Sequence, residues 1–526
     1  MSEWWREAVF YQVYPRSFQD GSGDGVGDLA GILSRLDYLA GGLGVDAVWL
    51  SPFYPSPMAD FGYDVADFCG VDPLFGDLPV FDRLLAAAHE RSLRLIVDLV
   101  PNHTSDRHPW FVESRASRGN PRRDWYVWRD PGADGGPPNN WQAVFGGAAW
   151  EWDPLTRQFY LHSFLAEQPD LNWRHPPVRQ AMYEVMRFWL DRGVDGFRLD
   201  VADFVMKDPG LGDDPLPGAG VRPRSRAHPD VHGVFREMRS LLGEYRPARV
   251  SVGEIHEDDL AVWASYYGEG NELALPFNFS LLRAPWDAAA VRGRVDALEA
   301  ALPSGAWPNW VLGNHDEPRL ATRVGESAAR VAAMLLLTLR GTPTLYYGDE
   351  LGLPQLEVPP ERQQDPFGLR VPGRGRDGCR TPMPWDRTAN CGFCPPGAIP
   401  WLPLGTEAGE RSVAAQLADP RSLLRLYRAL LALRRASLSL RRGEYSALPG
   451  APAGCLAYER SCPGSPRMGV ALNFTSRRVE VAGMPVGRIV VSTGMDRAGE
   501  QVTASLCLGP DEGVVVEEGR VQEGRA

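Results

Sequence analysis

Four apolar runs in this chain end in side chains capable of acid–base or nucleophilic chemistry. The run LIVDLVPNH carries Asp98, Asn102 and His103, GFRLDV carries Arg198 and Asp200, SVGEIH carries Glu254, and VLGNHDEPR carries Asn314, His315 and Asp316. A buried parallel strand is expected to be apolar, so charge at its C-terminal end needs a reason. One carboxylate alone would cap a helix or pair with an arginine, and Asp98 reads that way, as a structural residue bonding backbone and a neighbouring arginine. Four such ends together are different, because clustered carboxylates repel and raise one another's pKa. That arrangement is useful where one carboxylate attacks a carbon while a second, protonated, gives its proton to the leaving oxygen. Cleavage of a glycosidic bond with retention uses such a pair, about 5–5.5 Å apart.

The elements that must position these groups are legible as an alternation. Eight strand-like runs, VFYQVY, VDAVWLSP, RLIVDLV, GFRLDV, VSVGEI, ALPFNFS, NWVLGN and TPTLYYGDE, are separated by stretches of helical period such as VFDRLLAAAHERS and PVRQAMYEVMRFWLDRG. Such alternation predicts a parallel α/β architecture, and eight units predict a (β/α)₈ barrel whose strand C-termini carry the site. Two stretches interrupt it. Residues 103–172 are rich in Trp, Pro, Gly and Asn without helical period and predict a small domain inserted after strand 3, overhanging the strand ends. Residues 353–403 read as a long loop after strand 8. The barrel then occupies 1–102 and 173–442, and 443–526, with short alternating strands such as CLAYER and MGVALNF, predict a C-terminal antiparallel β-sandwich domain.

Taken in order and at their spacing, DLVPNH, GFRLDV, GEIH and NHD resemble the four short blocks of the α-amylase family, glycoside hydrolase family 13. The resemblance runs essentially end to end. It implies that Asp200 is the nucleophile, Glu254 the general acid/base and Asp316 the carboxylate that holds the sugar's 2- and 3-hydroxyls. His103 and His315 would hydrogen-bond sugar hydroxyls, and Arg198, on the strand face of Asp200, would keep that carboxylate ionised. QPDLNW (168–173) is similar to the fifth block of the oligo-1,6-glucosidase and α-glucosidase branch, and Phe164 just before it joins the substrate-binding set. FGYDVADF resembles the segment giving a stacking tyrosine, Tyr63, and an aspartate, Asp64, to the terminal glucose. GRDGCRTPMPWD resembles the loop in which Arg376 reaches the same hydroxyls beside Asp64. Together they imply a retaining, exo-acting α-glucosidase that resembles bacterial α-glucosidases most.

Linkage preference is read from two opposing signals. Val201, directly after Asp200, accompanies α-1,6 preference within the branch, whereas VMKDPG and YYGEGNELALPFNFSLLRAPWDAA resemble a subgroup cleaving short α-1,4 substrates. The longer segments outweigh one residue, so maltose and malto-oligosaccharides are expected first, with some α-1,6 activity. The alternatives are an oligo-1,6-glucosidase, or a transglucosylase or isomerase with the same machinery. A non-catalytic relative would lack Asp200 or Glu254, and both are present.

The loop DGSGDGVGD sets Asp20, Ser22, Asp24, the Val26 carbonyl and Asp28 at alternating positions, as in the first nine positions of a calcium loop. It resembles a first-strand loop of the branch that binds Ca²⁺ or Mg²⁺, with Ser22 where asparagine is usual, and predicts a structural ion. No cofactor is expected for catalysis. A net charge of −12 over 526 residues argues against nucleic-acid partners. No run reaches the ~20 apolar residues needed to span a bilayer, and the beginning, MSEWWREAVF, is too charged for a signal peptide. A cytoplasmic enzyme acting on small oligosaccharides is expected. Cys391 and Cys394 form a CxxC near Cys379, without the further ligands a zinc site needs, so reduced loop thiols or a local disulfide are expected. Lys207 is the only lysine. Arginine supplies all the other basic side chains, which reads as codon bias rather than a functional signal.

Overall fold

The computed structural model describes residues 3–216, 222–503 and 505–519; the end of the C-terminal stretch lies outside the described residues. Eight parallel strands form one sheet: β1 (Phe10–Val13), β2 (Ala47–Leu50), β3 (Arg94–Leu99), β4 (Gly196–Leu199), β5 (Val250–Gly253), β6 (Leu275–Pro276), β7 (Asn309–Val311) and β8 (Thr342–Tyr346). Their spatial order is β7-β8-β1-β2-β3-β4-β5-β6. A parallel bridge between Asn278 and Trp310 joins the two edges. All eight strand-like runs therefore form strands of one nearly closed barrel.

Side chains alternate along each strand, and this sorts them into two cores. Phe10, Ala47, Trp49, Ile96, Val250, Val252, Leu275, Phe277 and Val311 fill the barrel interior. Their neighbours Tyr11, Val48, Val97, Phe197 and Leu199 face the helices in the outer core. The helices following the strands include α1 (Leu29–Ser34), α2 (Leu78–Glu90), α3 (Pro176–Arg192), α4 (Val231–Gly243), α5 (Ala288–Ala301), α6 (Glu326–Thr338) and α7 (Leu423–Ala436). Trp189 of α3 is fully buried among Phe53, Tyr54 and Phe81. Burying a side chain of that size stabilises the fold by about 2–3 kcal/mol.

The same alternation delivers the chemistry. Gly196, Arg198 and Asp200 share one parity, as do Val250, Val252 and Glu254, so both carboxylates continue the axis-facing rows of adjacent strands. Gly196 pairs with Val250, and a Cβ on it would lie 2.2 Å from the Val250 carbonyl. Only glycine permits this approach of β4 to β5.

Two excursions rise over the strand C-termini. Between β3 and α3, an antiparallel sheet of Trp128–Arg129, Gln158–Leu161 and Trp150–Asp153 is anchored by bridges from His103 to Asp170 and Tyr126 to Leu171. This stretch, read from sequence as lacking helical period, also contains a helix at Pro109–Ala116, capped by His108 and started by Pro109. The stretch after β8 is also not all loop: it includes a short helix at Pro366–Arg370 and four short 3₁₀ turns. From Glu444 the chain forms a six-stranded antiparallel sheet and a separate two-stranded one. It is tied to α6 by Arg460, which donates to the Thr338 carbonyl at 2.6 Å. No helix among the described residues is long and apolar enough to cross a membrane.

Candidate active site

The floor of the site is built around one guanidinium. Arg198 donates to Asp98 at 3.0 Å and Asp200 at 2.5 Å through Nη1, and to Glu254 at 2.5 Å through Nη2. Asp98 also accepts from the Trp49 indole at 3.1 Å, consistent with a structural role. Directly after Asp200, Val201 adopts a left-handed conformation (φ 36°), rare for a β-branched residue, and its N–H donates to Glu254 at 3.0 Å. The strained turn thus ties the carboxylate ending β5 to the chain leaving β4.

Three carboxylates around one cation retain a proton near neutrality. Burial first, and then Glu254 and Asp98 as like charges, push Asp200 well up despite Arg198; burial raises Asp98 to about 7. Glu254 differs because Arg198 and His256 overcome burial and hold it down at about 2. His256 Nε2 lies 3.1 Å from Glu254 Oε1.

A second guanidinium closes the far wall. Arg376 pairs with Asp365 at 2.6 Å, Asp60 at 2.8 Å and Asp316 at 3.1 Å, and Arg380 donates to Asp316 at 3.1 Å. Against burial, His315, Arg376 and Arg380 hold Asp316 well below the usual carboxylate range. Gln12 donates to His315 Nδ1 at 2.8 Å, leaving Nε2 to carry the hydrogen toward the Tyr63 oxygen at 2.7 Å and Asp316 at 3.3 Å. The Tyr63 ring stacks on His315 at 5.4 Å and its hydroxyl donates to Asp98 at 3.3 Å. Burial lowers His315 to about 3 and His103 to about 4, so both rings are neutral donors and acceptors at pH 7.

These groups line a cavity of about 490 Å³. Of the residues singled out from sequence, Tyr63, His103, Phe164, Asp200, Glu254, His315, Asp316 and Arg376 line it. Two do not. Arg198, grouped with the substrate-binding residues, is buried beneath the carboxylates with both terminal nitrogens engaged, so it positions them instead. Asp64, expected beside Arg376, accepts from Ser56 at 2.8 Å and from the Ala59 and Asp60 N–H groups at 2.8 and 2.9 Å. Its carboxylate is consumed in holding its own turn. The aspartate that meets Arg376 is Asp60.

Sequence reasoning missed Asp60, Phe145, His256, Arg283 and Phe367, which also line the cavity. Asp60 had a signal, a second carboxylate in the same MADFGYDV segment; His256 stood within the GEIH block. Phe145 and Phe367 come from the two excursions, meet at 4.9 Å and had no periodicity to announce them. Beneath His103, Gln168 lies 3.1 Å from one ring nitrogen and Asn102 3.1 Å from the other. Asn102 is held in turn by Lys207 at 2.6 Å, whose ammonium also meets Asp170 at 2.7 Å. The sole lysine is therefore a buried strut behind the site rather than a trace of codon usage alone.

In the loop 20–28, Asp20 accepts the N–H groups of Gly23 at 2.6 Å and Gly25 at 2.8 Å, and Asp24 that of Val26 at 2.8 Å. Asp28 accepts from Gly21, Ser22 and Gly31, capping α1. The all-oxygen donor set has the chemistry of a hard-cation site. Its carboxylates nevertheless face backbone amides, and no group of three His, Cys, Asp or Glu converges on a metal position among the described residues. Cys391 and Cys394 are free thiols.

Residues 12–443 match the model of the α-amylase catalytic domain. A probable α-glucosidase of Rhizobium meliloti (strain 1021) is 45% identical, the match covering 81% of each chain. The oligo-1,6-glucosidase of Parageobacillus thermoglucosidasius is 40% identical over 81% of this chain and 82% of its own. Among solved structures, the α-glucosyl transfer enzyme XgtA superposes with a TM-score of 0.92 at 43% identity, covering 99% of this chain and 100% of that one. Trehalulose synthase MutB from Pseudomonas mesoacidophila MX-45 gives 0.91 at 36% identity, covering 98% and 100%. The strand-end carboxylates, the barrel that presents them and these likenesses lead to one conclusion: the chain belongs to the α-amylase family, glycoside hydrolase family 13, and is a glycoside hydrolase of α-glucosidase type.

Proposed function

We propose that this enzyme is a retaining, exo-acting α-glucosidase that releases glucose from the non-reducing end of short α-linked glucosides, with maltose and malto-oligosaccharides preferred and some α-1,6 activity. The observation that carries the reading is the far wall. Arg376, locked by Asp60, Asp316 and Asp365, leaves no passage for a chain beyond the first sugar. In this reading Asp200 attacks the anomeric carbon and Glu254 protonates the leaving oxygen. Water then resolves the glucosyl-enzyme with Glu254 as base. Asp316, kept ionised by two arginines, grips the ring hydroxyls as positive charge develops on the sugar. His103, His315 and the Tyr63 and Phe164 rings complete the first subsite. Product analysis on maltose, isomaltose, sucrose and trehalose tests the proposal: glucose of retained configuration, fastest from maltose, is expected. Attack within starch chains would overturn it.

A second reading is favoured by one residue. Val201 lines the cavity where a second sugar would enter, and the likeness to XgtA and MutB extends over nearly the whole chain. An oligo-1,6-glucosidase would show higher kcat/KM on isomaltose; a transglucosylase or isomerase would return new disaccharides rather than glucose.

The free thiols suit action in the cytoplasm. For the loop 20–28, the donor set supports one structural Ca²⁺ or Mg²⁺ held by Asp20, Ser22, Asp24, the Val26 carbonyl and Asp28, provided Asp24 turns from its amide partner. An ion bound only to the folded state stabilises it by mass action. Chelation is then expected to lower Tm by about a few degrees, and an unchanged Tm with no ion released would overturn the site.

A further inference from the structure

Glu254 is surrounded by groups that oppose the role assigned to it. A general acid must carry a proton, yet Oε2 accepts from Arg198 at 2.5 Å and from Val201 N–H at 3.0 Å, and Oε1 faces His256 Nε2 at 3.1 Å. Donors stabilise the carboxylate, not the acid. Arg198 stays protonated at any working pH, and a backbone amide releases nothing. Among the described residues His256 is the one titrating donor in contact with this carboxyl.

Its surroundings are built to hold charge. The ring lies on the cavity wall, stacked on Phe279 at 5.2 Å with 17° between the planes. Glu254 faces it from the end of β5. Buried Asp203, paired with Arg226 at 3.4 Å, faces it from the turn after β4. Asp316 and Glu317 stand on the same cavity wall, at the end of β7. Arg283, after β6, opposes them and approaches Nδ1 at 3.2 Å. Negative charge prevails: although burial favours the neutral ring, Glu254 and then Asp203 raise His256 above its ordinary value.

We propose that His256 is the proton store of the general acid, holding the proton as an imidazolium in the resting site and passing it from Nε2 to Glu254 Oε1 when a bound glucoside excludes water. This rests on the reading of Glu254 as acid/base. The Nε2–H bond breaks as the Oε1–H bond forms, and an imidazolium–carboxylate pair becomes a neutral imidazole and a carboxylic acid. Net charge is unchanged, and loss of water favours the neutral pair. Glu254 then protonates the leaving oxygen. In the second half-reaction it takes a proton from the attacking water and returns one to His256. Arg283 governs the store. While its Nη2 donates to Nδ1 the ring is neutral, and turning toward Asp258, 3.6 Å from its other terminal nitrogen, frees Nδ1 for the second proton.

The test is the pH profile of kcat/KM for maltose and for an aryl α-glucoside whose leaving group departs without protonation, in the full-length enzyme and two variants. His256→Gln keeps an N–H donor without titrating. With maltose its alkaline limb is expected at least about one pH unit lower, with about a tenfold loss at pH 7, while the aryl glucoside changes little and Tm is retained. Arg283→Met is expected to move the same limb to higher pH. A limb that coincides with wild type in His256→Gln, or equal losses on both substrates with no shift, would overturn the store. Failure of the wild-type enzyme to cleave either substrate would instead overturn the α-glucosidase reading beneath it.

Discussion

Two guanidiniums in this molecule each hold three carboxylates, and they do opposite things. Arg198 stands alone among Asp98, Asp200 and Glu254, so that set is under-neutralised and keeps a proton. Arg376, among Asp60, Asp316 and Asp365, is helped by Arg380, which shares Asp316. There Asp316 and Asp365 are held below their ordinary values. One extra cation separates a cluster that can move a proton from one that stays charged. The first sits where a bond is to be broken, the second where hydroxyls are to be gripped.

The comparison breaks most completely at the first cluster. Asp200→Asn removes the nucleophile and is expected to lower kcat by about 10⁴-fold or more, with Tm within a few degrees of wild type. Near-normal turnover, or an inverted product by NMR, would remove Asp200 from its role.

Arg380→Met converts the second cluster into a copy of the first, one cation for three carboxylates. Losing a hydrogen bond to a charged group costs about 1.5–3 kcal/mol, so kcat/KM is expected to fall about ten- to hundredfold. The pH effect has a definite sign. Asp316 is depressed in the folded enzyme, so its ionised form, and the stability that goes with it, are present above the unfolded value of about 3.9. Both are lost as pH falls through the folded value. Removing Arg380 raises that value, so the acid limb of kcat/KM and the acid unfolding midpoint are both expected at higher pH; an unmoved limb would show that Arg376 alone suffices.

Two substitutions four residues apart sharpen the assignment of the far wall. Asp60→Asn is expected to raise KM about tenfold by loosening Arg376, with little change in Tm. Asp64→Asn should act the other way, lowering stability by about 1–3 kcal/mol as its turn loses an acceptor, with KM nearly unchanged. Reversed outcomes would restore Asp64 to the sugar. The smallest effect is expected from Tyr63→Phe, whose hydroxyl spans the two clusters through Asp98 and His315. A loss of about three- to tenfold in kcat/KM, on the scale of one hydrogen bond, would measure how tightly the clusters are coupled.

What sequence disclosed follows from where order is local. The eight strands showed themselves because a strand buried on both faces is an unbroken apolar run, and a carboxylate at its end stands out. Asp60 and Asp64 could not be separated that way. Which of them points at the sugar is decided by a turn in which Met58, Phe61 and Gly62 all have positive φ, a property of the folded path rather than of composition. The helix at Pro109–Ala116 was hidden because its two tryptophan-bearing neighbours and prolines mask a helical period, although His108 and Pro109 form a recognisable start. His256 was passed over as an unremarkable histidine because its significance lies in three partners from three different strands' ends.

Lys207 has a practical consequence outside catalysis. The chain's one ε-amine is 7% exposed and is occupied by Asp170 and Asn102, so no lysine remains on the surface to meet an acylating reagent, a reducing sugar or an aldehyde fixative. An enzyme that works among aldoses is thereby spared glycation of its lysines, while its arginine surface keeps the charge that lysine would otherwise have carried.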